Sequence, residues 1–362
     1  MTAPTPKPTK AAVPVPKSVR ASVPAAATMA AVAPHTLPST SAATGTDDAK
    51  TLAALTAAQL YYMQDLTMGA IATELGTSRS SVSRLLSFAR DSGLVDIQIR
   101  SPFDRGLDLE RAILDRYRVV AHVVPMPDSI SDVDRLERVA MTAGRLLGRF
   151  IDSNMVVGVA WGSTLGALSR HLVTKPTRHS TIVQMNGAGN TQTTGIDYAS
   201  EILYRFGRAY SAQVQQFPVP AFFDDPLTKE GLWRERSTRR LLDIQSRMDL
   251  AVFGLGSPFA EVPSQVYIGG YLDADNYRNL SADGIVGDVA TVFYRGDGTF
   301  ADIALNARAS GPNLDRLRGV ARRVCVVSGV QKLASLRGAL AAVLVTDLIL
   351  DESLAGALVA AD

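Results

Sequence analysis

The apolar residues of this chain follow two patterns, and the pattern changes near Leu107. From Thr51 to about residue 100, the pattern is typical of short, compact helices. From Leu107 onward, apolar runs alternate with amphipathic stretches, which predicts a mostly parallel sheet with helices on both faces. The predicted strands span residues 119–124, 155–159, 181–185, 250–253 and 323–328, and the amphipathic helices include 132–150 and 197–209.

Residues 1–48 consist mainly of Ala, Pro, Thr and Ser. They contain too few large apolar groups to offset the entropy of ordering, which predicts a disordered tail. Two interpretations of this tail stay open, a solvated extension and a basic arm with weak attraction to DNA. Prolines interrupt every apolar run, which argues against a secretory signal, whereas a transit peptide stays open because no acid precedes Asp47. The scattered basic residues of the tail are Lys7, Lys10, Lys17 and Arg20.

Residues 67–86, with the sequence TMGAIATELGTSRSSVSRLL, have the spacing of two short helices joined by a turn. Thr67 is a predicted N-cap for the first helix, and Ser78 is a predicted N-cap for the second. Gly76 lies where a left-handed residue ends a helix at little cost. Two short helices around a glycine-containing turn are the signature of a helix-turn-helix.

The second of these helices has an apolar face, formed by Val82, Leu85 and Leu86, and an opposite face of arginine and serine. In a helix-turn-helix, that opposite face meets base edges in the major groove. Arginine can donate two hydrogen bonds to guanine, and serine hydroxyls suit phosphates or bases. An ordinary helical hairpin with a solvated arginine-rich face is the alternative. The predicted DNA contacts are Thr67, Ser78, Arg79, Ser80, Ser81, Ser83 and Arg84.

The flanks of this motif complete a predicted DNA-binding unit at residues 51–103. Residues 54–66 are the predicted supporting helix, and the run LVDIQI at 94–99 alternates as a short strand or wing does. Arg90 and Arg100 are candidates for contacts with the DNA backbone.

Glycine and hydroxyl-bearing residues follow several predicted strands of the second unit. Ligands bind outside the carboxyl ends of the strands in open parallel sheets, so these loops predict a pocket for a phosphate or a polyhydroxy ligand. The alternative is that each loop is a turn between a strand and a helix and binds no ligand. The loop residues are Gly162, Ser163 and Thr164, then Asn186, Gly187, Gly189 and Asn190, then Gly254, Gly256 and Ser257, and finally Ser328, Gly329 and Lys332; Asp288 can bind sugar hydroxyls or cap a turn.

Other chemistry has little support in the sequence. The glycine loops do not match GxGxxG spacing, and GxxxxGK[ST] is absent, so neither a nicotinamide cofactor nor nucleotide hydrolysis is expected. The four histidines have no carboxylate at metal-ligand spacing, and a single cysteine, Cys325, excludes a zinc finger. Cys325 is interpreted as a small buried apolar residue of a reduced, cytoplasmic protein. We therefore expect no cofactor, no metal and no membrane partner.

The order of the motifs resembles the SorC family, sugar-responsive bacterial regulators also called the SorC/DeoR group. The resemblance covers about residues 52–360 and includes VVGVAWGSTL, IVQMNGAGN, AVFGLGSP, DGIVGDV, VVSGVQK and TDLILDESLAGAL. It implies a winged helix-turn-helix joined to a Rossmann-like effector domain, similar to sugar-phosphate isomerases but without turnover. Carried onto this chain, the family's ligand positions are Gly162, Ser163, Thr164, Gly187, Gly189, Gly254, Gly256, Asp288 and Lys332.

Several positions depart from the family pattern. Asn186 has no nearby lysine, which argues against a covalent Schiff-base ligand at that loop. Position 163 is Ser where members vary, and Val330 follows Gly329 where a small or polar residue is common, which puts a phosphate contact by Lys332 in question. The long Pro/Ala tail is also unusual.

The resulting prediction is a cytoplasmic regulator of a carbohydrate-utilisation operon. Residues 51–103 would bind double-stranded operator DNA, and residues 107–362 would bind a sugar, polyol or sugar phosphate and form a homo-oligomer, a dimer or a tetramer. One alternative is a sugar-phosphate-processing enzyme fused to a DNA-binding module. Another is a nucleoid-type DNA binder without a ligand.

Overall fold

A computed structural model of the 362-residue chain describes residues 44–95, 105–127, 129–258 and 264–360. The chain divides into two compact units, residues 1–96 and 97–362, a few residues ahead of the predicted boundary at 103–107. The rest of the predicted tail, the predicted wing beyond Val95 and Arg100 lie outside the described residues. Of the helices in the described ranges, none combines the length of a bilayer with the apolar content that a membrane span needs.

The first unit contains three helices, α1 (Thr44–Tyr62), α2 (Met68–Glu74) and α3 (Arg79–Asp91). The prediction for residues 54–66 was wrong at both ends, because α1 begins inside the predicted tail and ends before Leu66. Alanine is the strongest helix former, and it stabilises α1 along a stretch whose apolar residues do not recur with the period of a helix. Ala54, Ala57, Ile71, Val82 and Leu86 form the buried centre of the unit.

The second unit is built on a seven-stranded parallel sheet with the order β1-β9-β8-β5-β2-β3-β4. A separate antiparallel pair, β6 and β7, lies outside this sheet. The strands are β1 (Val120–Val124), β2 (Val156–Val159), β3 (Thr181–Gln184), β4 (Gln213–Gln215), β5 (Leu250–Gly254), β6 (Ile285–Val289), β7 (Val292–Arg295), β8 (Arg322–Val327) and β9 (Asp347–Asp351).

Helices connect most of these strands. They are α4 (Arg105–Tyr117), α5 (Asp132–Phe150), α6 (Ser163–Ser169), α7 (Ile196–Tyr210), α8 (Pro226–Arg234), α9 (Arg236–Ser246), α10 (Gln265–Ile268), α11 (Ala274–Ala282), α12 (Ala304–Arg308), α13 (Leu314–Arg318), α14 (Leu333–Ala341) and α15 (Glu352–Ala360). A short 3-10 segment, Val330–Lys332, precedes α14.

All five predicted strands are confirmed, with ends that differ by at most two residues. The predicted helix at 132–150 is confirmed as α5. Sequence patterning missed β4, β9 and the β6–β7 pair. β9 has a carboxylate at each end, Asp347 and Asp351, and only three apolar residues between them, which is too short a run to stand out.

The sheet is covered on both faces, as its apolar strands require. Alternate side chains of β8 enter two separate cores, with Val324 and Val326 in one and Cys325 and Val327 in the other. The first core includes apolar residues of α5, α6 and α7, and the second includes those of α4, α14 and α15. Cys325 is fully buried, as the sequence predicts.

Candidate functional site

A cleft opens beyond the carboxyl ends of β2 and β5, where parallel sheets commonly bind ligands. About 440 Å³ of space, part of it open to solvent, lies between its lining residues, and the enclosed part is small, about 40 Å³. Seven of the nine predicted ligand residues line it, namely Gly162, Ser163, Thr164, Gly254, Gly256, Asp288 and Lys332.

The turn between β2 and α6 forms one wall of the cleft. Gly162 has a φ of 141°, a conformation that glycine adopts without strain, and it lets the chain enter α6 at Ser163. Thr164 is only 5% exposed and lies close to the β5 loop. A Cβ at Gly254 would lie 3.1 Å from the Thr164 Cβ, so a side chain at position 254 would crowd this wall.

Asp288 brings a buried carboxylate to the cleft from β6. Its backbone pairs with Gly256, whose amide donates to the Asp288 carbonyl over 2.9 Å. A Cβ at Gly256 would overlap the Asp288 carboxylate, so glycine is required for this approach. Oδ1 accepts a hydrogen bond from the Tyr267 hydroxyl and Oδ2 accepts one from the Thr291 amide, both at 3.1 Å.

Burial raises the pKa of Asp288 to about 6, although the Tyr267 hydroxyl, the Thr291 amide and the Lys332 ammonium all lower it. Burial also raises the pKa of Tyr267 well above its usual value, so this hydroxyl remains a donor. The cleft therefore holds a carboxylate whose charge responds to pH in the mildly acidic range.

Lys332 supplies the positive charge of the cleft. It is 8% exposed, and its Nζ donates to the Leu255 carbonyl over 2.9 Å. Burial lowers the pKa of this ammonium, and the Asp288 carboxylate opposes that effect. Gly329, with a φ of 92°, turns the chain before the 3-10 segment, and its amide donates to the Asp351 carboxylate over 2.7 Å. This hydrogen bond anchors the loop that presents Lys332.

Gly187 and Gly189 do not line the cleft, contrary to the predicted placement. Gly187 is buried, its amide donates to Ser310 Oγ, and its carbonyl accepts from Trp161 Nε1 over 2.8 Å. Gly189 pairs with Pro220 and borders a different cavity. A Cβ at Gly187 would clash with the Val219 and Pro220 carbonyls, so this glycine permits close packing of two loops. Asn186, the preceding residue, lines the cleft instead.

Aromatic residues that sequence reasoning did not assign support the cleft. Trp161 lines it and stacks against Tyr271, with ring centroids 5.2 Å apart. The Tyr271 hydroxyl donates to the Ala188 carbonyl over 2.9 Å. Trp161 directly precedes the predicted glycine loop and could have been found, whereas Tyr267 and Tyr271 lie in a segment without a recognisable motif.

The described residues that line the cleft include one carboxylate, one ammonium and no histidine. No group of three or more His, Cys, Asp or Glu residues in the described part of the chain is arranged to hold a metal ion. Asp288 and Lys332 carry opposite charges and interact electrostatically. Each carboxylate oxygen of Asp288 accepts a hydrogen bond from another group of the protein. This arrangement suits the binding of a polar ligand.

The helix pair of the first unit forms a second candidate site. The Thr67 hydroxyl accepts from the Ala70 amide, and the Ser78 hydroxyl accepts from the Ser81 amide, so both predicted N-caps are confirmed. Along α3, the described side chains from Arg79 to Arg90 include no acid. Ser81 is half-buried, and the exposed predicted residues are Thr67, Ser78, Arg79, Ser80, Ser83 and Arg84.

Comparison with known proteins shows which family this chain belongs to. Residues 101–360 match the family model described as "Putative sugar-binding domain". The chain is 30% identical over 317 residues to the deoxyribonucleoside regulator of Bacillus subtilis, covering 86% of this chain and 99% of that one. It belongs to the SorC family of transcription regulators.

Two further proteins are similar to this chain. The sorbitol operon regulator of Klebsiella pneumoniae is 24% identical over 284 residues, covering 78% of this chain and 90% of that one. The crystal structure of a domain of a possible sugar-binding transcriptional regulator from Arthrobacter aurescens TC1 is 55% identical, with a TM-score of 0.68. It covers 72% of this chain and the whole of that domain.

Proposed function

We propose that this SorC-family protein is a cytoplasmic, DNA-binding transcription regulator of a carbohydrate-utilisation operon, controlled by a sugar, a polyol or a sugar phosphate. The single observation that carries the proposal is the cleft at the carboxyl edge of the parallel sheet, with the buried Lys332 and Asp288 in its lining. The relatives named above regulate deoxyribonucleoside and sorbitol genes, which supports an effector of this class.

The chemistry of the cleft supports a ligand that is rich in hydroxyls. A hydroxyl can donate to the Asp288 carboxylate and accept from Lys332, so a polyol can use both charges without carrying one. The Lys332 ammonium also suits a phosphate oxygen, and protonation of Asp288 would increase that preference. Sugar phosphates are therefore part of the proposed effector class.

The DNA contact is proposed for α2 and α3, as a helix-turn-helix whose second helix enters the major groove. The exposed Arg79 and Arg84 are the charged groups of this face, and Ser80 and Ser83 add short donors. Arg84 Nη2 lies 3.3 Å from Ser81 Oγ, which holds the guanidinium beside the start of the helix. The residues proposed to contact DNA are those predicted from sequence.

The second unit is proposed to form the homo-oligomer, a dimer or a tetramer, that pairs two DNA-binding units on a roughly palindromic operator. Effector binding would favour one arrangement of this oligomer and so change DNA affinity, with a coupling of about 1–3 kcal/mol. A fused sugar-phosphate-processing enzyme is the alternative, and the described residues that line the cleft offer it a small acid–base inventory, one carboxylate and one ammonium.

A two-stage experiment tests the proposal. The full-length protein is screened by thermal shift with sorbitol, erythritol and 2-deoxyribose, and with sorbitol 6-phosphate and 2-deoxyribose 5-phosphate. Each hit is then added to a fluorescence-anisotropy titration with DNA from the protein's own promoter region and with shuffled DNA of equal length. We expect a preference for promoter DNA and a change of about 5–150-fold in that affinity with the effector.

Three results would overturn parts of the proposal. Equal affinity for promoter and shuffled DNA, with and without every compound, would remove the DNA-reading role. An absence of any thermal shift would remove the effector role for this class of ligand. Conversion of a hit into a product, followed by NMR, would reinstate the enzyme alternative.

A further inference from the structure

Asn186 is a buried amide that the fold leaves incompletely bonded. It is 1% exposed, it follows β3, and it lines the cleft beside Trp161 and Thr164. Its Oδ1 is buried and has no hydrogen-bond partner among the described residues. Leaving a buried acceptor unbonded destabilises a fold, so such a group calls for an explanation.

The neighbouring side-chain amide of Gln184 has a hydrogen-bond partner on both its nitrogen and its oxygen. Gln184 Nε2 donates to the Asn186 carbonyl over 2.7 Å, and Gln184 Oε1 accepts from the Phe217 amide over 3.0 Å. Gln184 is 4% exposed and borders a different cavity. The side-chain amides of Gln184 and Asn186 are therefore both buried. The one that lines the cleft, Asn186, is the one whose acceptor oxygen has no partner among the described residues.

Resting on the proposed function, we infer that Asn186 is a specificity-determining residue that binds one hydroxyl group of the effector through its side-chain amide. A side-chain amide has an acceptor oxygen and a donor nitrogen, and a ligand hydroxyl can form a hydrogen bond with either atom. A phosphate oxygen or a carboxylate can only accept, so it cannot bond to the amide oxygen. The Asn186 amide is neutral, so it does not compensate an anionic group. The ligand group at this end of the cleft is thus a neutral hydroxyl, and any anionic group of the effector lies toward Lys332.

This assignment predicts opposite effects on stability and on binding. Asn186→Leu removes the unbonded acceptor, so the free protein should unfold at a temperature about 2–4 °C higher than the wild type. The same variant should bind the effector at least about 10-fold more weakly, because the ligand hydroxyl is left without its partner. Damage to the fold cannot produce both changes together.

The experiment uses the full-length protein and the compound of the thermal-shift panel that binds it most tightly. Calorimetry gives the Kd of wild type and Asn186→Leu for this compound and for each analogue in which one hydroxyl is replaced by hydrogen. One analogue should bind wild type about 10-fold more weakly than the parent and bind Asn186→Leu as well as the parent does. If the leucine variant does not fold, Asn186→Ala replaces it, and the same affinities are measured for the parent compound and for each analogue.

Gln184→Leu is the matched control. It should lower the unfolding temperature, because it leaves the Asn186 carbonyl and the Phe217 amide without partners, and it should show no coupling to a single hydroxyl. Unchanged effector affinity in both Asn186 variants would overturn the inference and leave the proposed function intact. Equal weakening for every analogue would also overturn it, whereas a wild type that binds no compound of the panel would refute the effector role itself.

Discussion

The Tyr267 hydroxyl donates a hydrogen bond to Asp288 Oδ1 over 3.1 Å, between segments that are 21 residues apart in the chain. The Thr291 amide donates to the other carboxylate oxygen at the same distance. Two donors favour the charged form, yet burial is the larger effect and raises the pKa of Asp288 to about 6. The protonation state of Asp288 is therefore set by desolvation on one side and by the two hydrogen bonds and the Lys332 ammonium on the other.

The first prediction concerns the pH dependence of stability. Because the pKa of Asp288 is raised from 3.8 to about 6 on folding, the folded state binds the proton more tightly than the unfolded state does. The contribution of Asp288 is thus most favourable below about pH 4, declines as the pH rises to 6, and is constant above that, with a total change of up to about 3 kcal/mol.

Urea unfolding of wild type and Asp288→Asn between pH 4.5 and 7.5 measures this effect. The stability of the wild type relative to Asp288→Asn should fall as the pH rises through this window. Parallel pH profiles for the two proteins would contradict a raised pKa for Asp288.

The second prediction concerns Tyr267→Phe. Removing the hydroxyl takes one donor from a buried carboxylate, which should raise the pKa of Asp288 further and destabilise the protein at pH 7.5 by about 1.5–3 kcal/mol. The loss should be smaller at pH 5, where Asp288 is largely protonated. Tyr277→Phe is the control, since the Tyr277 ring lies 6.4 Å from that of Tyr267 and is 37% exposed. An equal loss at both pH values would show that the Tyr267 hydroxyl does not favour the charged form of Asp288 over the protonated form.

The fold was largely predictable because its buried strands are continuous apolar runs, and the cleft was predictable because glycine and hydroxyl residues follow those strands. Two features escaped prediction for physical reasons. In the loop after β3, nothing in the sequence distinguishes Asn186, which lines the cleft, from Gly187, which packs against the Val219 and Pro220 carbonyls. Tyr267 reaches Asp288 only through tertiary packing, which no local spacing encodes.

The third prediction concerns Gly256→Ala. A methyl group at this position would overlap the Asp288 carboxylate, so the β6 backbone or the carboxylate must shift. We expect a loss of about 1–3 kcal/mol in unfolding free energy and a loss of effector binding in calorimetry. Gly148→Ala in α5 is the control, because a Cβ there meets no atom within 4 Å, and it should raise stability by up to about 1 kcal/mol. Effector binding that survives Gly256→Ala unchanged would show that Asp288 is not needed in its present position.

The fourth prediction concerns Arg84→Ala on α3. Arg84 is exposed, and its described hydrogen bond to Ser81 Oγ is long at 3.3 Å, so its loss should leave the unfolding temperature and effector affinity unchanged. If the guanidinium contacts a base, affinity for promoter DNA should fall by roughly 5–150-fold, whereas affinity for shuffled DNA should change little. If it contacts a phosphate, both affinities should fall together, and their dependence on salt should weaken.

Arg247→Ala is the control. Arg247 is an exposed arginine at the carboxyl end of α9 that pairs with Asp243, so its loss should change neither affinity. Wild-type affinity of Arg84→Ala for both DNA molecules would mean that this face of α3 does not meet the duplex.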